Sequence, residues 1–177
     1  MNRLFLLGCC CAAVSLTGCA GNGAVAEAPV TPAPQAATAN LMDASGQMAG
    51  TARVEQIGDS LRVTVDGTRL PQGPHGVHLH QVGLCTPPTF ESAGGHWNPT
   101  DRMHGKDNPA GMHKGDLPNI LIGTDGRGSI EYTVPMASLG QLIDGDGAAI
   151  VVHAQADDYR TDPSGASGAR IACGVLR

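Results

Sequence analysis

The stretch Ala49-Gly-Thr-Ala-Arg-Val-Glu-Gln-Ile57-Gly58-Asp59-Ser60-Leu-Arg-Val-Thr-Val65 decides the fold. Apolar and polar residues alternate with period two on both sides of Gly58-Asp59. Two strands joined by a tight turn are therefore predicted, with one face for a core and one for water. Similar short runs recur outward along the chain: Gly76–Val82, Ala148–Ala154 and Ala169–Leu176. Ile120–Ile122 and Ser129–Val134 flank Thr124-Asp125-Gly126-Arg127-Gly128 and read as a second hairpin. No helix of convincing length is evident. Charged residues make up only 15% and aromatics 3%, with 25 Gly and 12 Pro, a composition of turns rather than of helices. The expected fold is all-β, a Greek-key antiparallel β-sandwich or barrel. Two stretches, 83–118 and 154–168, stay long and irregular, and loops of that length in a compact domain usually carry function.

The N-terminal end has a different character. Asn2-Arg3 is followed by an apolar run from Leu4 to Leu16, the length of a signal segment and too short to span a bilayer. Leu16-Thr17-Gly18-Cys19 resembles a bacterial lipobox, which implies cleavage before Cys19, lipidation of that cysteine and a membrane anchor that does not cross the bilayer. The competing reading is a plain signal peptide with an incidental cysteine. Ala20 at the next position favours, by the same resemblance, sorting to the outer membrane of a bacterial cell envelope, facing the periplasm. Residues 19–39 are rich in Ala, Pro and Thr, cannot bury a core and read as a tether. The expected organisation is thus a signal peptide over 1–18, a lipid-anchored tether over 19–39 and one domain over 40–177, about 138 residues, enough for one sandwich or barrel. Of six cysteines, Cys9, Cys10 and Cys11 leave with the signal and Cys19 takes lipid. Cys85 and Cys173 remain. In an oxidising compartment a disulfide between them is the default, closing a loop of about 88 residues and contributing about 4 kcal/mol on the loop-entropy model. A pair of thiolate metal ligands is the other reading, although neither cysteine has a C-x-x-C partner. The net charge of −5 argues against nucleic-acid binding, and an anionic substrate would need a local basic group.

Six of the seven histidines and one aspartate fall in an order that reads as a two-metal site: His78, His80, His96, His104, His113, Asp116 and His153. Residues i and i+2 of a strand share a face, so His78 and His80 project together, about 7 Å apart, while Val77 and Leu79 turn to the core. His153 lies opposite Ile150 and Val152 in the same way. The imidazoles then stand on a rigid wall, outside the barrel. An imidazole-only set with a planar tendency suits Cu(II), and three histidines with one carboxylate suit tetrahedral Zn(II). His104, His113 and Asp116 come from the irregular loop, whose folding is expected to depend on metal.

With these residues in place the chain resembles bacterial Cu/Zn superoxide dismutases over essentially all of 40–177. The motifs are Gly76-Val-His-Leu-His80, Gly94-Gly-His-Trp-Asn-Pro99, His104-Gly, His113-Lys-Gly-Asp-Leu-Pro-Asn119, Val151-Val-His153, Ala156-Asp157-Asp158 and Gly168-Ala-Arg-Ile-Ala-Cys-Gly-Val175. The resemblance implies copper on His78, His80, His96 and His153, and zinc on His96, His104, His113 and Asp116, with His96 bridging. It implies that Asp157 hydrogen-bonds one histidine of each metal, and that Arg170 attracts and positions the anion beside copper. The implied activity is dismutation of superoxide to dioxygen and hydrogen peroxide by alternate reduction and reoxidation of copper, with Arg170 and His96 as the catalytic residues. An envelope lipoprotein that only carries or buffers copper is the alternative. Relatives of that kind usually lack part of the copper set or the arginine, and this chain has all of them.

Other residues receive plainer readings. His75 is expected to be a hydrogen-bonded structural histidine, Trp97 a packing residue and Met112, Met103 and Met48 filler. Lys106 and Lys114 lie near the ligand loop, where either a steering role or a solvated surface position fits. The stretch 154–168 has no lysine, one arginine and three aspartates, so a lysine-bearing steering loop is not evident. Bacterial relatives include monomers and homodimers, and the sequence does not choose between them.

Overall fold

Alternation of apolar and polar residues over short segments makes β-strands the dominant regular structure among the described residues. The computed structural model describes residues 35–177. The elements are β1 (Ala36–Asp43), β2 (Met48–Ile57), β3 (Ser60–Gly67), β4 (Gly73–His75), β5 (Val77–His80), β6 (Ile120–Ile122), β7 (Gly128–Val134), a four-residue helix α1 (Leu139–Leu142), β8 (Ala149–His153) and β9 (Arg170–Val175). Seven strands form one curled antiparallel sheet in the order β5-β8-β9-β1-β2-β3-β7, and β4 with β6 makes a separate pair. The order places the C-terminal strand beside the N-terminal one and sends β5 to the far end from β3, the long-range connection of a Greek key.

The hairpin around Gly58-Asp59 forms as expected, in register from Gly50 opposite Gly67 to Ile57 opposite Ser60. Val54, Leu61, Val63 and Val65 turn inward and are fully buried, together with Leu41, Val77, Leu79, Ile120, Ile150 and Val152. Trp97 joins this core as a packing residue. Truncating Leu41, Leu61, Leu79, Ile120 or Ile150 to Ala would cost about 2–5 kcal/mol.

Two sequence expectations need correction. The first strand starts at Ala36, inside the stretch read as tether. Ala37, Ala39 and Leu41 alternate into the core, and the backbones of Thr38 and Arg177 exchange two hydrogen bonds of 2.7 and 3.0 Å. A run of Ala and Thr looks like linker composition, but its period is that of a strand. Residues 1–34, including the signal, Cys19 and most of the tether, lie outside the described residues. The second correction concerns Ile120–Ile122. The turn after it forms, with Gly123 N–H on the Arg127 carbonyl at 2.8 Å, but the strand pairs with β4 rather than with β7. Gly128, with no side chain, lets Leu121 cross β7 at close range instead of lying along it.

The outer face of β8 and β9 carries a second, smaller core. Ala149, Val151 and Cys173 pack there against Phe90 and Ala93 from the long loop. A disulfide joins Cys85 to Cys173 across the same interface, with the Cα atoms 5.7 Å apart. The loop 83–95 is thereby fixed to the sheet, which matters for the site.

Candidate metal centre

His78 and His80 stand on β5, and His153 ends β8, the strand paired with it. Their partners in the strands, Val77, Leu79, Ile150 and Val152, fill the main core. The imidazoles occupy the opposite face, as the alternation predicts. They are nevertheless buried, because the two long loops close over them. His96 arrives from the first loop, pinned by backbone bonds of Gln81 to Gly95 (3.1 Å) and Trp97 to Leu79 (2.8 Å).

Four ring nitrogens converge: His78 Nδ1, His80 Nε2, His96 Nε2 and His153 Nε2. Each is buried without a hydrogen-bond partner, and ligand atoms of these four residues lie within 4.8 Å of one another. The other nitrogen of each ring is engaged. His80 Nδ1 faces the Gly94 carbonyl at 2.9 Å and His153 Nδ1 the Gly168 carbonyl at 3.2 Å. His78 Nε2 meets Asp157 Oδ2 at 2.8 Å. A carbonyl or carboxylate only accepts, so the proton sits on the engaged nitrogen and the converging one presents a lone pair. Buried polar atoms are rarely left unpaired, and four together mark a place for an ion. Burial keeps these rings neutral. His78 is pushed down to about 3 by burial and by His96 and His153, against the pull of Asp157. His153 falls to about 4, also through burial, with Gly168 opposing. His80 lies well below its ordinary value through burial and the nearby His96 and Arg170.

A second cluster closes on one carboxylate oxygen. Asp116 Oδ1 lies 2.8 Å from His96 Nδ1, 3.0 Å from His104 Nδ1 and 3.1 Å from His113 Nδ1, with 3.3 Å between His96 and His113. Four donors about 2.0 Å from a central ion in a tetrahedron stand about 3.3 Å apart, close to this spacing. His78 also comes near this group, but its Nε2 is committed to Asp157. His113 is the fourth member on contact. The second oxygen of Asp116 is held by the N–H groups of Gly105 (2.9 Å) and His113 (3.0 Å), which turns Oδ1 inward. His96 is common to both clusters, one nitrogen in each.

Asp157 spans the two halves: its other oxygen, Oδ1, faces His104 Nε2 at 3.0 Å. For His104, burial works against the charge. Its hydrogen bonds to Asp116 and Asp157 outweigh that and lift it to about 9. Burial would raise both carboxyls, but their bonds to His104 and the other imidazoles hold both well below the usual carboxylate range.

Arg170 sits beside the copper-type cluster through a β-bulge. Val152 pairs with Ala172 but His153 with Arg170, so Ile171 is the extra residue. Ile171 and Ala172 both face the main core, and the bulge turns Arg170 to the face of His153. Its guanidinium donates to the carbonyls of Phe90 and Gly94, each at 2.7 Å. Neither contact neutralises its charge. A cavity of about 530 Å³ opens over His96, His153, His113 and Arg170.

Several supporting residues carried no role in the sequence reading. The Asn119 amide clamps the Asp157 backbone, donating to its carbonyl (2.9 Å) and accepting its N–H (2.8 Å). Asp162 accepts the His104 backbone N–H at 2.7 Å. The motif ending at Asn119 was the one available signal for the first; nothing marked the second. His75 is structural as expected, its two nitrogens 2.8 Å from the carbonyls of His153 and Pro71. The two lysines point elsewhere. Lys106 lies over the Tyr159 ring at 4.3 Å, and Lys114 bonds the Pro135 carbonyl at 2.7 Å.

Comparison with known proteins agrees with this geometry. Residues 48–176 match the family described as Copper/zinc superoxide dismutase (SODC). The superoxide dismutase-like protein YojM of Bacillus subtilis is 41% identical over 77% of this chain and 73% of its own. Superoxide dismutase [Cu-Zn] 2 of Aquifex aeolicus is 39% identical over 80% and 86%. The solved Cu/Zn superoxide dismutase from Brucella abortus superposes with a TM-score of 0.65 at 30% identity, covering 80% of this chain and 99% of its own. With a match over most of its length, and with two clusters of donors that suit copper and zinc, the chain belongs to the copper/zinc superoxide dismutase family.

Proposed function

We propose that this chain dismutates superoxide, turning two superoxide ions and two protons into dioxygen and hydrogen peroxide. The observation that carries the reading is the set of four buried, unpartnered ring nitrogens of His78, His80, His96 and His153 beside an arginine that forms no ion pair among the described residues. These four residues fit copper, and His96, His104, His113 and Asp116 fit zinc by donor type and spacing. Copper, when bound, supplies the one-electron couple that oxidises one superoxide and reduces the next.

The remaining tasks belong to the chain's own groups. Arg170 draws the anion into the cavity and orients it; the Phe90 and Gly94 carbonyls hold its guanidinium in place. Gly94 also accepts from His80, so one peptide group couples the position of the arginine to that of a copper ligand. His96 lines the cavity, and its Nε2 is the atom at which a proton can be held for delivery to the peroxide product. Asp116 keeps the other nitrogen of His96 oriented, and Asp157 ties His78 to His104. A protein that only carries copper would have no use for an un-neutralised arginine at the mouth, which favours the enzyme.

The full-length chain, exported and loaded with copper and zinc, is expected to hold about one of each and to dismutate superoxide rapidly in pulse radiolysis. Copper bound without turnover would move the assignment to a carrier. Lipidation at Cys19 and an envelope location facing the periplasm belong to the same reading, supported by Leu16-Thr17-Gly18-Cys19. Mass spectrometry of the mature N-terminus should find a lipidated Cys19, and Cys19→Ser should release the protein from the membrane fraction.

A further inference from the structure

Tyr159 follows Asp157 by two residues in the loop over 154–168, and several separate contacts converge on it. Its N–H donates to Asp157 Oδ1 at 2.6 Å, the same oxygen that faces His104 Nε2. Its carbonyl accepts the Asp107 N–H at 3.0 Å, and a Cβ on Gly105 would collide with that carbonyl, so glycine there lets the two loops close. Its phenol oxygen accepts the Asn119 N–H at 2.9 Å, at the entry to β6. Its ring lies under Lys106 and against the zinc-ligand loop, where only about 20 Å³ is left open among Met112, Leu117 and Tyr132.

The backbone of Tyr159 is left-handed, with φ of 63°. Gly, Asn and Asp take that conformation readily, whereas for a bulky side chain it is an outlier. Conformation alone therefore does not call for a tyrosine here, and strained positions persist where the surroundings over-determine them. What the tyrosine adds is reach. From the loop that carries Asp157 it spans to the segment that carries Asn119, whose side-chain amide holds the Asp157 backbone at 2.8 and 2.9 Å. Asp157 is thus set from two directions, directly by the Tyr159 N–H and, through Asn119, by the phenol. Asp157 in turn fixes His78 on the copper side and His104 on the zinc side.

We propose that Tyr159 is a positioning residue for both metal sites, acting through Asn119 and Asp157 without ligating either metal. This rests on the reading of the two histidine clusters as copper and zinc sites. Tyr159→Phe keeps the ring, its packing and its place under Lys106, and removes the acceptor of the Asn119 N–H. It should free Asn119, loosen Asp157 and weaken each metal by about tenfold, the low end for a lost outer-sphere partner. Tyr132→Phe is the control. That ring lines the same small cavity, but among the described residues its hydroxyl has no hydrogen bond, so the same deletion should change nothing.

The test is chelator competition for copper and for zinc on the full chain, with Cu(II) electron paramagnetic resonance of the copper-loaded form and amide hydrogen exchange of the metal-free form. Wild type, Tyr159→Phe, Asn119→Ala, the double variant and Tyr132→Phe are compared. The expected result for Tyr159→Phe is a loss of about tenfold for both metals, an altered copper signal and faster exchange at Asn119 and Asp157. The double variant should bind no more weakly than Asn119→Ala, since the phenol acts through that residue. Unchanged affinities in Tyr159→Phe would overturn the proposal. So would an equal loss in Tyr132→Phe or additive losses in the double variant. A lower melting temperature with the copper signal and the exchange at Asp157 unaltered would also overturn it, because it marks a tyrosine that only stabilises the fold. A wild type that takes up neither metal would instead overturn the metal reading, and this proposal with it.

Discussion

The two halves of the metal centre share His96 and differ in almost everything else. Three of the four imidazoles on the copper side project from paired strands or, for His153, from a strand end. Their tautomers are set by Gly94, Gly168 and Asp157, and their free nitrogens have nothing to bond. The zinc side is drawn entirely from residues 96–116, a stretch without a strand of the main sheet, and its donors are bonded to one another. One half is a rigid set of neutral lone pairs. The other is an ion network that must be exchanged for metal. A sheet can hold ligands ready because its backbone is satisfied without them, whereas a Gly- and Pro-rich loop takes its order from the contacts its ligands make.

The comparison breaks most severely if the halves cannot be emptied separately. His153→Gln should abolish dismutation and copper binding while leaving zinc near one per chain by metal analysis. Loss of both metals together would mean that the halves are one unit. Asp116→Asn is the reciprocal test. It should remove zinc, leave the copper site able to bind and speed hydrogen exchange across residues 96–118, since the amide carries no charge for the three imidazoles and cannot accept at both oxygen positions. Asp157→Asn should act on both halves because it touches His78 and His104, weakening each metal by about 10–100-fold. A loss confined to copper would show that its contact with His104 carries no weight.

What could be read in the sequence follows the same division. The strand ligands His78, His80 and His153 were legible from alternation alone, since period two fixes the face. The loop ligands were legible as residue types with no geometry, and their pairing came only through family resemblance. Arg170 shows the limit more sharply: strict alternation would have put it on the face of Ala172, in the core. The bulge at Ile171 reverses that, and no residue type announces a bulge. The carbonyls of Phe90 and Gly94 that hold Arg170 are equally silent, because any residue presents a carbonyl. Ala36–Ala39 has the composition of a linker and the period of a strand, and the fold follows the period. Lys106 and Lys114 were placed near the site by sequence distance, which says nothing about direction.

The division also predicts different responses to pH. In the metal-free protein His104 is held near 9, above the ordinary histidine value of 6.5. Its contribution to stability is therefore complete below about 6.5 and is lost as the pH rises through about 9. The depressed carboxyls of Asp116 and Asp157 stabilise above the ordinary 3.8 and lose that contribution in acid. The copper-side rings run the other way. With His78 near 3 and His153 near 4, the unfolded chain binds more protons below 6.5, so these rings destabilise the metal-free fold as the pH falls. Zinc must displace the proton on His104, and its affinity should rise by about tenfold per unit up to about pH 9 and then level off. Copper meets rings that are already neutral, so its affinity should be nearly flat from about pH 6 to 9. Chelator competition on the metal-free full chain measures both slopes. Equal slopes would mean that His104 is not charged between its two carboxylates, and the contrast between a waiting cradle and a self-paired cage would then reduce to a difference in backbone alone.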